Sequence, residues 1–249
     1  MRRTRNLRAV VAAALVCVGL IAGTNPAGAV APAPFGIVFN ATGTSNGNST
    51  WTLMIGDSLV NGVGAPAFAG HLRTVTGRST YVAASSGSSL PNWIGAGWLD
   101  NPVWGGPNLA SLSNYVTVIQ PRITVVALGS NDARIMTQSP GSYTSGDHFW
   151  KVLDIVNRAK ASSRCVLLTT VANHWSAAST ASVNAVNANI AWADANMPGV
   201  YVADWHSYSA GHSDWFAAPG DIHHSNIGKL KYAEYIGNVT KLLAASGQC

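Results

Sequence analysis

Five short apolar runs rich in β-branched residues, separated by segments of helical periodicity, constrain this sequence most. They are TLMIG (52–56), TYVAA (80–84), ITVVAL (123–128), CVLLTTV (165–171) and VYVAD (200–204). None alternates apolar with polar residues, as a strand with one wet face would; near-continuous apolarity belongs to strands covered on both faces. Helical segments are expected at 65–76, 109–119, 147–161, 180–196 and 226–245. In FWKVLDIVNRAKA, for example, Phe149, Val152, Leu153 and Val156 recur on one helical face. Strand–helix alternation of this kind predicts an α/β domain, a three-layer α/β/α sandwich around a five-stranded parallel sheet. Such sheets bind ligands at the carboxyl ends of their strands.

The first 29 residues read as a signal peptide and not as part of the fold. MRRTRNLR is basic, AVVAAALVCVGLIAG is apolar, and Ala27–Ala29 offers a small-residue cleavage site. The apolar run is short for a bilayer-spanning helix, and no second run competes, so the mature chain carries no integral span; a retained N-terminal anchor is the alternative. Bulky Val16 argues against lipid attachment at Cys17. Residues 30–50, rich in Pro, Gly, Ser, Thr and Asn, read as a leader into a domain at 51–249. Four of the fifteen basic residues lie in the signal, which leaves eleven against ten acidic ones. That balance gives no electrostatic footprint for nucleic acid and no polybasic membrane patch. Cys165 and Cys249 are the cysteines of the mature chain, and in an exported protein they favour one disulfide, pinning the C-terminal tail to the sheet, over two free thiols.

Three strand ends carry chemistry-bearing residues. IGDSLVNG follows the first run, where a tight strand-to-helix turn would raise the Ser58 hydroxyl above the sheet; the competing assignment is a helix N-cap. The second run ends in AASSGSSLPNW, where Gly87 would let its N–H approach a ligand closely, or form an ordinary turn. The third ends in ALGSNDAR, where the Asn131 carboxamide could donate to an oxyanion or close an Asx-turn. Asp57 reads as a turn former. The seven histidines include no pair spaced as metal ligands, so no metal site is expected at His71, His148, His174, His206 or His212.

With GDSL at 56–59, GSND at 129–132 and a histidine block at 221–224, the sequence resembles the SGNH, or GDSL, hydrolase family across nearly the whole mature chain. The resemblance implies a flavodoxin-like three-layer fold, Ser58 as nucleophile, and no metal or organic cofactor. It also implies an oxyanion hole from the Ser58 and Gly87 N–H groups and the Asn131 side chain. The family's last block reads Asp-x-x-His, and literal spacing here pairs Asp221 with His224. However, Ser225 is a good N-cap for the last helix. Counting back from Ser225 and Gly228 puts His223 in the family position, with Gly220 where the acid belongs and Asp221 one place late. This register favours His223 over His224 as general base. The acid stays open: Asp221 through a shifted turn, a backbone carbonyl, or none, with Asp204 and Asp214 in reserve. The implied activity is exported ester hydrolysis on an acylated envelope glycan, an O-acetyl sugar or a lipid. The alternatives are acyl transfer through the same acyl-enzyme and a non-catalytic glycan- or partner-binding domain. Trp93, Trp98, Trp104, Trp175 and Trp215 could line such a site or simply cover loop cores.

Overall fold

A computed structural model describes residues 37–41, 52–61, 65–77, 79–95 and 111–249. The signal peptide, most of the leader, Trp98 and Trp104 lie outside these residues. In chain order the strands are β1 (Ile37–Ala41), β2 (Thr52–Gly56), β3 (Thr80–Ala84), β4 (Ile123–Ala127), β5 (Cys165–Thr169) and β6 (Val200–Ala203). They form one sheet in the order β1-β3-β2-β4-β5-β6. β2 to β6 are parallel, as expected. The sequence reading did not anticipate β1, which comes from within the leader and pairs antiparallel with β3, Ile37 opposite Ala84.

The helices are α1 (Ser58–Asn61), α2 (Ala65–Thr76), α3 (Leu90–Ile94), α4 (Leu112–Ile119), α5 (Ser130–Gln138), α6 (Ser145–Lys160), α7 (Thr180–Asn196), α8 (Trp205–Tyr208) and α9 (Asn226–Ala245). All residues of β2 to β5 are buried, and successive side chains serve opposite faces. Leu53 and Ile55 join a core with Tyr115, Ile155 and Val186 from α4, α6 and α7. Met54 joins the opposite core, with Leu72, Tyr232 and Ile236 from α2 and α9. Apolarity on both sides of each strand is therefore the direct cause of the three layers. α6 begins two residues before the expected start because Thr144 and Asp147 form a capping box.

The parallel strands follow the flavodoxin-type order, with the topological switch between β2 and β4. In register, Gly56 of β2 lies opposite both Ala84 of β3 and Ala127 of β4. The segments that follow, holding Ser58, Gly87 and Asn131, therefore leave the sheet at one level and around one crevice.

Candidate active site

Ser58 is the first residue of α1, at the carboxyl end of β2. The loop before α9 brings His223 to it: His223 Nε2 lies 3.1 Å from Ser58 Oγ. The other ring nitrogen, Nδ1, lies 2.8 Å from Asp221 Oδ1, and the same carboxylate oxygen accepts the His223 backbone N–H at 2.9 Å. With Nδ1–H donated to the carboxylate, Nε2 is left to accept the serine proton. The late position of Asp221 is thus absorbed by an Asx-turn, in which a carboxylate binds the backbone two residues on. Gly220, at φ +76°, supplies the left-handed residue that lets the chain enter this turn. Its carbonyl accepts hydrogen bonds from Ser176 N and Oγ, which brace the turn against the loop after β5. Burial works to raise the Asp221 carboxyl, but the His223 backbone N–H, the His223 ring hydrogen bond and the ring's charge outweigh it and hold the group below its ordinary range.

His224 is directed the other way, into the core. It is 4% exposed, and neither ring nitrogen has a hydrogen-bond partner. Its ring meets Trp205 edge-on at 5.3 Å and lies 4.7 Å from Tyr232. Burial, helped by the positive charges of His223 and Lys229, lowers its pKa to about 3. Of the two histidines, only His223 is brought to the serine. Ser225 caps α9 by accepting the Gly228 N–H, as the register expected.

Gly87 sits at φ +79° in the turn after β3. This turn is tied down by Asn61, which donates to Ser86 Oγ, and by Trp93, which donates to Ser88 Oγ. Asn131 is buried at the start of α5 beside the same turn. Its amide donates to the Ser88 carbonyl at 3.0 Å and points its other hydrogen at Asp57 Oδ2, 3.4 Å away. The first bond fastens the turn; the second is long for an N–H···O bond, so that hydrogen is weakly committed. Asp57 is fully buried, accepts the Leu59 N–H at 2.9 Å, and is raised to about 7 by desolvation. Asp132, which the sequence reading passed over, is buried beneath the same turn. It accepts Leu90 N–H and Tyr143 O–H, and desolvation raises it to about 6. Its place next to Asn131 was the available signal.

The sequence matches no family model and no curated protein. Solved structures do match. The C-terminal catalytic domain of Streptococcus pneumoniae peptidoglycan O-acetyltransferase A aligns at a TM-score of 0.56 and 19% identity, over 81% of this chain and 97% of that one. An Enterococcus faecalis lipase/acylhydrolase aligns at 0.59 and 15%, over 77% and 95%. A GDSL-like lipase of Bacteroides thetaiotaomicron aligns at 0.56 and 15%, over 79% and 89%. The fold is that of the SGNH, or GDSL, hydrolases.

The remaining residues singled out in the sequence fall outside the contacts around Ser58. Within this SGNH fold Trp93 is fully buried and Trp215 nearly so, so both serve the core; Trp175 is half-buried, under the Arg134 guanidinium at 5.6 Å. Asp204 caps α8 and Asp214 lies 4.0 Å from His212, so neither reaches His223. His148 is buried against Asn189. Among the described residues, no cluster of three or more His, Cys, Asp or Glu side chains could hold a metal ion.

Proposed function

We propose that this protein is an exported serine esterase, with Ser58 as nucleophile, His223 as general base and acid, and Asp221 as the orienting carboxylate. The observation that carries the reading is the chain of contacts from Asp221 through His223 to Ser58, 2.8 and 3.1 Å long, at the topological switch of the sheet. Ser58 Oγ attacks the ester carbonyl carbon while its proton passes to His223 Nε2. The imidazolium then gives that proton to the departing alcohol oxygen. Water, deprotonated by the same nitrogen, attacks the acyl-enzyme and releases the acid and the free serine. The backbone N–H groups of Ser58 and Gly87, with the amide hydrogen Asn131 holds weakly toward Asp57, would receive the oxyanion.

Export is supported by the amino-terminal signal pattern and by the disulfide between Cys165 and Cys249. No helix among the described residues is long and apolar enough to cross a membrane. Likeness to an O-acetyltransferase catalytic domain supports a second reading, discharge of the acyl group to a sugar hydroxyl in place of water. Product analysis with and without a glycan acceptor separates the two.

The test is fluorophosphonate labelling with turnover of p-nitrophenyl acetate. Ser58→Ala and His223→Ala should each lose labelling and at least about a thousandfold in kcat/KM, whereas His224→Phe should keep both. Undiminished labelling of Ser58→Ala would overturn Ser58 as the nucleophile, and no labelling of the wild type would leave a binding domain as the reading that stands.

A further inference from the structure

A second concavity of about 520 Å³ opens on the same rim, between the loop after β5 and the segment from α8 to Phe216. His174, His206 and His212 line it with Asn173, Ser213 and Phe216. The imidazoles are held in place by the fold. His206 Nδ1 lies 3.0 Å from the Val171 carbonyl, and its backbone N–H donates to Thr170 Oγ1. The rings of His174 and His212 lie against Phe216 at 4.0 Å and Trp215 at 3.9 Å. With Nδ1–H given to Val171, His206 offers Nε2 as an acceptor.

The chemistry of this lining selects its ligand. Imidazole, amide and hydroxyl groups both donate and accept hydrogen bonds, and Phe216 adds an aromatic surface; the lining contains no Lys, Arg, Asp or Glu. Two carboxylates stand behind the lining: Asp214, 4.0 Å from His212, and Asp204, which accepts the Thr170 hydroxyl that also binds the His206 backbone. An anion would meet repulsion there, and an acyl chain would strip water from polar groups it could not satisfy. A neutral sugar ring, with hydroxyls at its edge and C–H groups on its faces, matches both parts of the lining.

The cleft also shares its walls with the proposed catalytic loop. Phe216 pairs with His224 as an isolated β-bridge, and Ala217 N–H donates to the His223 carbonyl at 2.8 Å. On the other side, Ser176, two residues beyond His174, donates to Gly220. β5 and β6 stand two and three strands from β2. At normal strand spacing the cleft is therefore roughly 10 to 15 Å from Ser58 across the sheet.

We propose that this cleft is a binding subsite for an uncharged sugar unit of the same glycan chain that presents its ester to Ser58. That places the substrate among acylated neutral polysaccharides, not lipids. The inference rests on the esterase reading for the reaction at Ser58, but sugar binding can be measured without it.

Calorimetric titration of Ser58→Ala with two neutral oligomers free of O-acetyl groups, xylopentaose and penta-N-acetylchitopentaose, reads the subsite directly. At least one pentaose should bind. Ala210→Trp, which fills the mouth at an exposed lining position, should abolish that binding, and Ser213→Ala should weaken it by about fivefold, the worth of one hydrogen bond. In the wild-type background, Ala210→Trp should raise KM for the O-acetylated pentaose and leave p-nitrophenyl acetate turnover unchanged. Binding insensitive to Ala210→Trp, preference for pentagalacturonate or decanoate, or no pentaose binding would overturn the subsite. If p-nitrophenyl acetate is not hydrolysed, the esterase reading fails on its own, and the titration still decides whether the cleft holds a sugar.

Discussion

His223 and His224 are adjacent in the chain, yet one is half-exposed beside a serine and the other is sealed among Trp205, Phe216 and Tyr232. The buried ring has a consequence for acid stability. His224 stays neutral in the fold to about pH 3, whereas a histidine in the unfolded chain takes up a proton near pH 6.5. Between those values the unfolded state binds more protons, so this residue weakens the fold as pH falls, by about 1.4 kcal/mol per pH unit. His148, lowered to about 4 by burial, acts in the same direction. Asp57 and Asp132 oppose it, because their raised pKa values let the native state hold protons that the unfolded chain releases. The test is therefore a difference: urea unfolding of His224→Phe against wild type, with the variant's relative stability rising by about 1.4 kcal/mol per unit between pH 6 and 4. A constant difference across that range would contradict the buried neutral ring. At this scale the Ser225 cap of α9 was legible, and it sets the register that favours His223. The acid was not, because the Asx-turn through Asp221 depends on the backbone angle of Gly220.

The position of His223 relative to Ser58 depends on how α9 meets the 3₁₀ turn at Ser213–Trp215. A Cβ at Gly228 would fall 1.8 Å from the Trp215 carbonyl oxygen. That carbonyl also accepts the Ser225 N–H, so helix and turn are locked at backbone distance. On an ordinary exposed helix Gly→Ala would stabilise by roughly 1 kcal/mol. Here Gly228→Ala should destabilise by about 1–3 kcal/mol as the backbone shifts to relieve the overlap. It should also lower kcat/KM for p-nitrophenyl acetate, because the displaced segment carries His223. Thermal unfolding and steady-state kinetics check the two effects, and an unchanged or raised Tm would refute the contact. Among the elements, α7 and α9 were readable to the residue, since their segments are long and bounded by caps at Ser179 and Ser225. α5 was missed because SNDARIMTQ has few apolar residues and borrows its burial from the loop after β3. β1 was missed because IVFNA is a short run inside a stretch dominated by turn-forming residues, and edge strands need only one partner.

Across the whole molecule, the proposed chemistry and the covalent staple occupy opposite ends of the sheet. Cys165 opens β5 at its amino end and is bonded to Cys249, 84 residues away. Arg122, just before β4, donates to the Cys249 carbonyl and adds to the anchor. The enclosed segment includes β5, α7, β6 and the loop bearing His223. Opening the bridge should cost about 2–5 kcal/mol, because a long loop regains its freedom in the unfolded chain. The Cys165→Ala, Cys249→Ala double variant should therefore unfold at lower urea, yet keep the wild-type kcat/KM at low temperature. Loss of activity without loss of stability would mean that the staple acts on the active site.

The sequence alone determined the layered architecture, the residue types at three strand ends and the amino-terminal signal pattern, because each is a local record of periodicity, composition or short-range turn chemistry. Tertiary structure decided the rest. How a displaced aspartate meets the His223 ring, where the Asn131 amide is held and how loops after β5 and β6 enclose a second cleft all depend on groups far apart in the chain. Their distances are set by how strands and helices pack, and no spacing within the sequence records that.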